Sequence, residues 1–302
     1  MNPATAALSP ENRTTVRTSK PAPLSLRVMG VGLQVLSHVS PCGAAAVAEH
    51  LFLTPRRRPR PASENDILET AYPFTIASKH GDLAAWAWGD DNGPRVLLVH
   101  GWEGRGAQLG PLVEPLTSLG FRVVTFDAPA HGDSPGERSS LVHFADGVEG
   151  AARALGPLHG IVAHSMGGPA ALWASRSRRL AARVVLIAPP LDIRDFTRAV
   201  SSVLGLPEEV RERVHARLEE RFGVGVEALR SDRLASAMRG PALVLHDEDD
   251  REVPITCGEA IARAWPGSTL VRTQGLGHRR ILRDAAAIRT VTRFLAPGVT
   301  GG

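Results

Sequence analysis

The stretch that decides the fold is Ala163-His164-Ser165-Met166-Gly167, which follows a short apolar run and precedes a helix-like one. A serine between a buried strand and a helix lies on a sharp, strained turn that raises its hydroxyl above the end of a sheet. Such a turn needs small residues on both sides of the serine, because the strand and helix backbones nearly touch there. The stretch therefore predicts a serine nucleophile at Ser165.

The order of the chain supports a catalytic triad. Asp250 follows the serine and stands four residues before Pro254, and His278 comes next, after a Gly-Leu-Gly turn. A histidine with a pKa near 7 can take the serine proton, and a carboxylate behind it holds the ring in one tautomer. We predict Ser165, His278 and Asp250 as nucleophile, base and acid. Asp249 is the alternative for the acid.

The chain resembles the α/β-hydrolase superfamily, specifically its capped serine-hydrolase (esterase- or lipase-like) branch, from about Thr70 to Leu295. Five motifs in family order carry the resemblance: His100-Gly101-Trp102, the segment 127–134, the serine elbow, the Asp-x-x-Val-Pro segment and the Gly-x-Gly-His segment. One departure is Ala163, which stands where the family has the first glycine of the elbow. We expect its extra methyl group to be tolerated.

The resemblance also implies an oxyanion hole. In this fold two backbone N–H groups bind the oxyanion, one from the residue after the nucleophile and one from the loop after the third strand. These are the amides of Met166 and Trp102. We interpret His100 as a brace for the oxyanion loop, and His131 with Asp133 as a structural turn.

The fold class follows from alternating strand-like and helix-like segments. Strand-like residues recur at 74–77, 83–88, 96–99, 123–126, 161–162, 184–187, 243–245 and 270–271, with helical patterns between most of them. This alternation predicts an α/β fold with a mostly parallel, doubly wound sheet of about eight strands. The predicted catalytic residues follow strands, and open α/β sheets bind ligands at that edge.

The predicted domain organisation has four parts. They are a disordered tail (1–24), an N-terminal helical extension with a basic linker (25–66), the hydrolase core (67–190 and 239–297) and a helical lid after the sixth strand (191–238). The lid prediction rests on a strand-free stretch in which Val210, Val214, Leu218 and Phe222 recur every four residues. The alternative is an ordinary long connection.

Charge and composition exclude several classes of function. Of the formal net charge of +4, residues 1–60 hold eight basic against two acidic residues, so the catalytic part is slightly negative. An enzyme that acts on nucleic acid carries basic charge around its site. No such basic charge is expected here, so nucleic acid is not a predicted partner. The sequence predicts no cofactor, no metal ion and no membrane-spanning helix. Cytoplasm is the expected location.

Residues 26–60 have two interpretations. They contain two short apolar helices that meet at Pro41, followed by Arg56-Arg57-Arg58-Pro59-Arg60. In the favoured interpretation the helices dock on the hydrolase body, which covers their apolar residues, and the arginines form a solvated linker. The other interpretation, peripheral contact with an anionic membrane, is not favoured. The oligomeric state is left open.

The predicted function is a serine hydrolase that cleaves a carboxylic ester or thioester, with a small or medium hydrophobic substrate, through an acyl-enzyme. Acyl transfer, carbon–carbon hydrolysis and perhydrolysis at the same site are alternatives. A non-catalytic scaffold with a retained fold is another. Dehalogenases and one class of epoxide hydrolases carry an aspartate at the nucleophile position, and Ser165 argues against both.

Overall fold

The computed structural model describes residues 24–296, with side chains from residue 28 onward, and its centre is an eight-stranded sheet. The strands are β1 (Tyr72–Ser78), β2 (Gly81–Trp88), β3 (Arg95–Val99), β4 (Arg122–Phe126), β5 (Leu158–His164), β6 (Ala181–Ile187), β7 (Ala242–Asp247) and β8 (Ser268–Thr273). Their spatial order is β1-β2-β4-β3-β5-β6-β7-β8. Strand β2 pairs antiparallel with β1 and β4, and the remaining pairs are parallel. The mostly parallel sheet of eight strands is confirmed.

Helices cover both faces of the sheet. In chain order they are α1 (Leu24–Val39), α2 (Pro41–Leu53), α3 (Ala62–Glu69), α4 (Val113–Thr117), α5 (Leu141–Leu155), α6 (Gly167–Ala174), α7 (Ile193–Leu204), α8 (Glu208–Phe222), α9 (Ser231–Ala237), α10 (Ile255–Ala264), α11 (Gly277–Arg280) and α12 (Ala285–Leu295), with 3₁₀ helices at Gly106–Leu112 and Val226–Leu229. Helices α5, α6 and α10 bury one apolar cluster against the sheet, and α4 and α12 bury another on the opposite face. The doubly wound arrangement is therefore confirmed. It explains why the central strands are apolar on both faces.

The N-terminal helices do not pack on the sheet. Helix α2 lies along α8, and α1 lies along α7. Apolar residues of α2, including Ala48 and Phe52, share a buried cluster with the stripe Val210, Val214 and Leu218 of α8. We expected these helices to dock on the hydrolase body. They dock instead mainly on the 191–238 segment, because its apolar stripe needs a partner and the N-terminal segment supplies one.

One face of α1 remains uncovered. Val28, Val31, Val35 and Val39 are 64%, 61%, 62% and 81% exposed. The expectation that the protein's own core covers the apolar N-terminal residues is therefore wrong for this face. It holds for the opposite face, where Leu33 is buried. No helix in the described part of the chain is long and apolar enough to cross a membrane.

The basic linker is exposed but bonded to the core. Both terminal oxygens of Glu103 accept hydrogen bonds from the Arg56 guanidinium, at 2.7 and 3.0 Å. Arg57 donates to three main-chain carbonyls of the loop after β4, and Arg60 donates to Asp133 at 2.7 Å. The expected solvated linker is thus a clamp on two core loops. Pattern alone does not indicate these contacts, because their partners lie 47 to 79 residues away.

Helix α3 spans the predicted linker boundary at residue 66 and was not predicted. Pro61 stands before its first residue with extended backbone angles, and Glu64 lies in its first turn. The Glu64 carboxylate forms a buried ion pair with Arg105, whose guanidinium also donates to the carbonyls of Arg58 and Pro59. The proline and the early glutamate are a helix-start signal that the sequence analysis did not use.

The predicted boundaries otherwise stay predictions. The tail at 1–24 lies outside the described residues, except for Leu24, with which α1 begins. Within the 191–238 segment, α7 and α8 belong to the layer formed with α1 and α2. Helix α9 instead packs on α6 and α10, and its Leu234 and Ala235 belong to the cluster on the sheet. The segment therefore consists of an outer helix pair and a helix that joins the core.

Candidate active site

Ser165 lies at a tight turn between β5 and α6. Its backbone φ is +51°, a left-handed conformation that is costly for a residue with a side chain. Two glycines make room for the turn. A Cβ on Gly167 would lie 2.6 Å from the His100 carbonyl oxygen, and one on Gly101 would lie 2.8 Å from Ser165 Cβ. Ala163, the departure from the family pattern, is fully buried within β5 and packs in the core.

The three side chains predicted as a triad form one hydrogen-bonded chain. His278 Nδ1 lies 2.7 Å from Asp250 Oδ2, and His278 Nε2 lies 3.0 Å from Ser165 Oγ. A carboxylate only accepts hydrogen bonds, so Nδ1 carries the proton and donates it. In the neutral ring Nε2 is then free to accept the proton of the serine hydroxyl.

The loop after β7 brings Asp250, and not Asp249, to the histidine. Asp250 Oδ1 accepts hydrogen bonds from the amides of Glu252 and Val253, at 2.8 and 2.9 Å, which leaves Oδ2 for His278. The Asp249 carboxylate turns away and accepts from the Gly275 amide at 2.8 Å. The geometry therefore separates the two candidates that the acidic cluster left open.

The environment of Asp250 favours its charged form. Burial alone raises the pKa of a carboxyl group, but the nearby His246 imidazole and the hydrogen bond with His278 outweigh it and hold the Asp250 pKa well below its usual value. His246 also fixes the loop, because its Nε2–H donates to the Val253 carbonyl at 2.9 Å. Asp250 therefore stays ionised at neutral pH and can stabilise an imidazolium at His278.

Asp247 shapes the turn that carries His278, and the sequence analysis assigned it no role. Its carboxylate is fully buried at the end of β7 and accepts hydrogen bonds from the amides of Leu276 and Gly277 and from the Thr273 hydroxyl. These bonds outweigh the effect of burial and lower the Asp247 pKa. An acidic residue at the end of a buried strand was the available signal.

The amides of Trp102 and Met166 lie on the two loops that flank the serine. Among the described residues neither N–H has a hydrogen-bond acceptor. His100 braces the first loop, because its Nδ1–H donates to the Gly101 carbonyl at 2.7 Å and its Nε2 accepts from the Ala128 amide at 2.9 Å. Burial keeps the pKa of His100 well below 6.5 and so keeps the ring neutral. The bracing interpretation of His100 agrees with these contacts.

Two other buried histidines hold backbone near the site. His164 Nε2–H donates to the His278 carbonyl at 2.9 Å, and burial lowers its pKa to about 3. His131 Nδ1–H donates to the Pro129 carbonyl at 2.9 Å, and burial lowers its pKa to about 4. Both rings are neutral at physiological pH, which suits structural contacts rather than proton transfer.

The lowered pKa values of these buried histidines predict that the free energy of unfolding decreases in acid. In the unfolded chain a histidine binds a proton below about pH 6.5, whereas folded His131 resists protonation down to about pH 4. Its contribution to stability is thus complete above pH 6.5 and is lost as the pH falls toward 4, by about 1.4 kcal/mol per pH unit. We expect His131→Asn to flatten the fall in unfolding free energy between pH 7 and pH 5, measured by urea unfolding. The exposed His50→Asn is the control and keeps the wild-type slope. An equal slope in all three proteins would contradict the prediction.

Comparison with known proteins identifies the family. The model of an alpha/beta hydrolase family matches residues 96–291, which include Ser165, Asp250 and His278. The chain belongs to the alpha/beta hydrolase family. No curated protein sequence matches it.

Solved structures show the same alpha/beta hydrolase fold at low sequence identity. An esterase from Pyrococcus furiosus is 18% identical with a TM-score of 0.61, and the match covers 80% of this chain and 98% of the esterase. A putative lipase from Acinetobacter baumannii is 15% identical with a TM-score of 0.60, and the match covers 80% of this chain and 98% of the lipase. An esterase from a Rhodococcus species is 18% identical with a TM-score of 0.56, and the match covers 74% of this chain and 98% of that esterase.

An apolar pocket in this alpha/beta hydrolase begins beside Trp102 and Met166. It encloses about 580 Å³ of empty space, counting the part that opens to solvent. Its walls come from α2, the start of α5, the outer pair α7 and α8, and residues 224–229. None of the described residues that line it carries a charged side chain. Two of the described lining residues carry a hydroxyl group: Ser140 Oγ accepts from the His143 amide, and Thr197 Oγ1 bonds to the Arg194 carbonyl and His215.

Proposed function

We propose that this alpha/beta hydrolase is a serine hydrolase that cleaves a carboxylic ester or thioester with an apolar acyl group. The observation that carries the proposal is the hydrogen-bonded chain from Asp250 through His278 to the Ser165 hydroxyl. A binding protein has no need of this alignment on a strained turn. Esterases and a putative lipase among the structural neighbours are consistent with it.

The proposed reaction starts at Ser165 Oγ. The oxygen attacks the carbonyl carbon of the substrate while His278 Nε2 takes the hydroxyl proton. Asp250 stabilises the resulting imidazolium, and the N–H groups of Trp102 and Met166 stabilise the oxyanion of the tetrahedral intermediate. The carbon–oxygen or carbon–sulfur bond then breaks, and the leaving group takes the proton from His278.

Water completes the cycle on the acyl-enzyme. His278, neutral again, removes a proton from water, and the hydroxide attacks the acyl carbonyl. The second tetrahedral intermediate collapses, Ser165 recovers its proton from His278, and a carboxylic acid leaves. The acyl group occupies the apolar pocket in both steps, since that pocket adjoins the two amides.

A burst experiment tests this proposal. On mixing the full chain with p-nitrophenyl butyrate, we expect a rapid release of p-nitrophenol equal to the protein concentration, provided that deacylation is the slower step. Mass spectrometry of the quenched sample would then find one butyryl group on the peptide that contains Ser165, and butyric acid as the final product in water. Turnover that persists in Ser165→Ala, or no turnover of oxygen esters and thioesters alike, would overturn the proposal.

A further inference from the structure

The N-terminal helix α2 reaches the apolar pocket. Phe52 and Leu53, its last two residues, line the pocket together with Phe196 of α7 and Leu218 and Phe222 of α8. Phe52 is buried, and its ring meets the Phe196 ring edge-on, with centroids 6.3 Å apart. A segment outside the matched family region (96–291) thus supplies part of the wall of the apolar pocket.

Phe52 and Trp102 line the same pocket, and both contact the ring of Phe196. The Phe196 centroid lies 6.2 Å from that of the indole and 6.3 Å from that of the Phe52 ring. An acyl chain that starts at the Trp102 amide and enters the pocket therefore meets a wall to which Phe52 contributes.

Strong contacts hold α2 in this place. The buried Glu49 carboxylate, one turn before Phe52, accepts hydrogen bonds from Arg217 Nε at 2.6 Å and Arg221 Nε at 2.5 Å, both on α8. The Leu53 carbonyl accepts a bond from the Ser139 amide at 2.7 Å, just before α5. The clamp of Arg56 on Glu103 then ties the following residues to the loop that carries Trp102. Helix α2 is therefore fixed to both sides of the pocket.

We propose that the N-terminal extension completes the acyl-binding site and that Phe52 sets the upper limit of acyl length. The ligand is an uncharged, apolar acyl chain, because none of the described residues that line the pocket carries a charged side chain and most of them are apolar. The identification of the ligand as an acyl group rests on the function proposed above. The position of Phe52 in the pocket wall is independent of that function.

The test measures kcat/KM for p-nitrophenyl esters from acetate to dodecanoate. We expect Phe52→Ala to move the optimum to longer acyl chains and to raise the ratio of kcat/KM for dodecanoate to kcat/KM for butyrate about tenfold. This is the effect of burying nearly two more methylene groups. Phe52→Trp fills the space and shifts the optimum to shorter chains. Val47→Ala, on the exposed face of the same helix, is the matched control and leaves the profile unchanged.

A binding measurement separates this inference from the proposed reaction. The same esters are titrated into full-length Ser165→Ala, with and without Phe52→Ala, by calorimetry. A shift in the preferred chain length on binding supports the inference even if the wild-type protein shows no turnover. An unchanged preference for chain length in Phe52→Ala, or no binding of any apolar ester, would overturn it.

Discussion

Replacement of Ser165 by alanine is expected to abolish esterase activity and labelling by a fluorophosphonate probe while the protein stays folded. The hydroxyl oxygen is the only non-hydrogen atom lost, and alanine accepts the strained backbone of the turn about as well as serine does. We expect turnover to fall at least about a thousandfold, because loss of a triad serine removes the covalent route altogether. Gel fluorescence of the labelled protein and initial rates on p-nitrophenyl butyrate measure the two effects.

Ser140 provides the matched control for this variant. Among the described residues it is the one serine on the wall of the apolar pocket, and its hydroxyl caps the first turn of α5. Ser140→Ala is expected to keep the labelling and most of the activity, with a loss of about 1 kcal/mol in unfolding free energy from the missing cap. Labelling that persists in Ser165→Ala and disappears in Ser140→Ala would exclude Ser165 as the nucleophile.

Replacement of Asp250 by asparagine is expected to lower kcat roughly ten-thousandfold. An amide at this position can donate a proton toward His278 Nδ1, which favours the tautomer with the proton on Nε2. That ring can no longer accept the proton of Ser165 Oγ. The loss is in proton transfer rather than in substrate binding, so the KM is expected to change little. Steady-state kinetics on p-nitrophenyl butyrate separate the two parameters.

Asp249→Asn distinguishes a specific role of Asp250 from a general effect of the acidic cluster. The Asp249 carboxylate accepts one bond from the Gly275 amide and does not contact His278. An asparagine oxygen can accept the same bond, so we expect less than about a tenfold loss. A larger loss in Asp249→Asn than in Asp250→Asn would mean that the loop after β7 presents the other carboxylate.

Local signals predicted the sheet and the residues around it. The central strands are short runs that are apolar on both faces. This pattern agrees with the structure, in which helices cover β3, β5 and β7 on both sides. The serine turn is local too, since its strain and its small neighbours lie within a few residues. For the same reason Ser165, Asp250 and His278 could be named from motif and order before their distances were known.

Contacts between distant residues account for what the sequence analysis missed. Nothing next to Phe52 marks it as part of a pocket, since its aromatic partner Phe196 lies on another helix 144 positions later. The linker arginines were expected to be solvated, because their partners Glu103 and Asp133 are distant in the sequence and become neighbours only in the folded chain. The apolar stripe of α8 indicated that some partner exists, and it did not indicate that α2 is that partner.

The sequence by itself thus determined the fold class, the turn at Ser165 and the order of the proposed acid and base, because each depends on the spacing of nearby residues or on periodic burial in a sheet. Tertiary structure alone decided which carboxylate meets His278, that Asp247 holds the histidine turn, that α2 forms part of the pocket wall and that a valine face of α1 stays exposed. Those outcomes depend on which helices and strands pack against each other. A local residue pattern shows that an element has an apolar face, but it does not show which other element packs on that face.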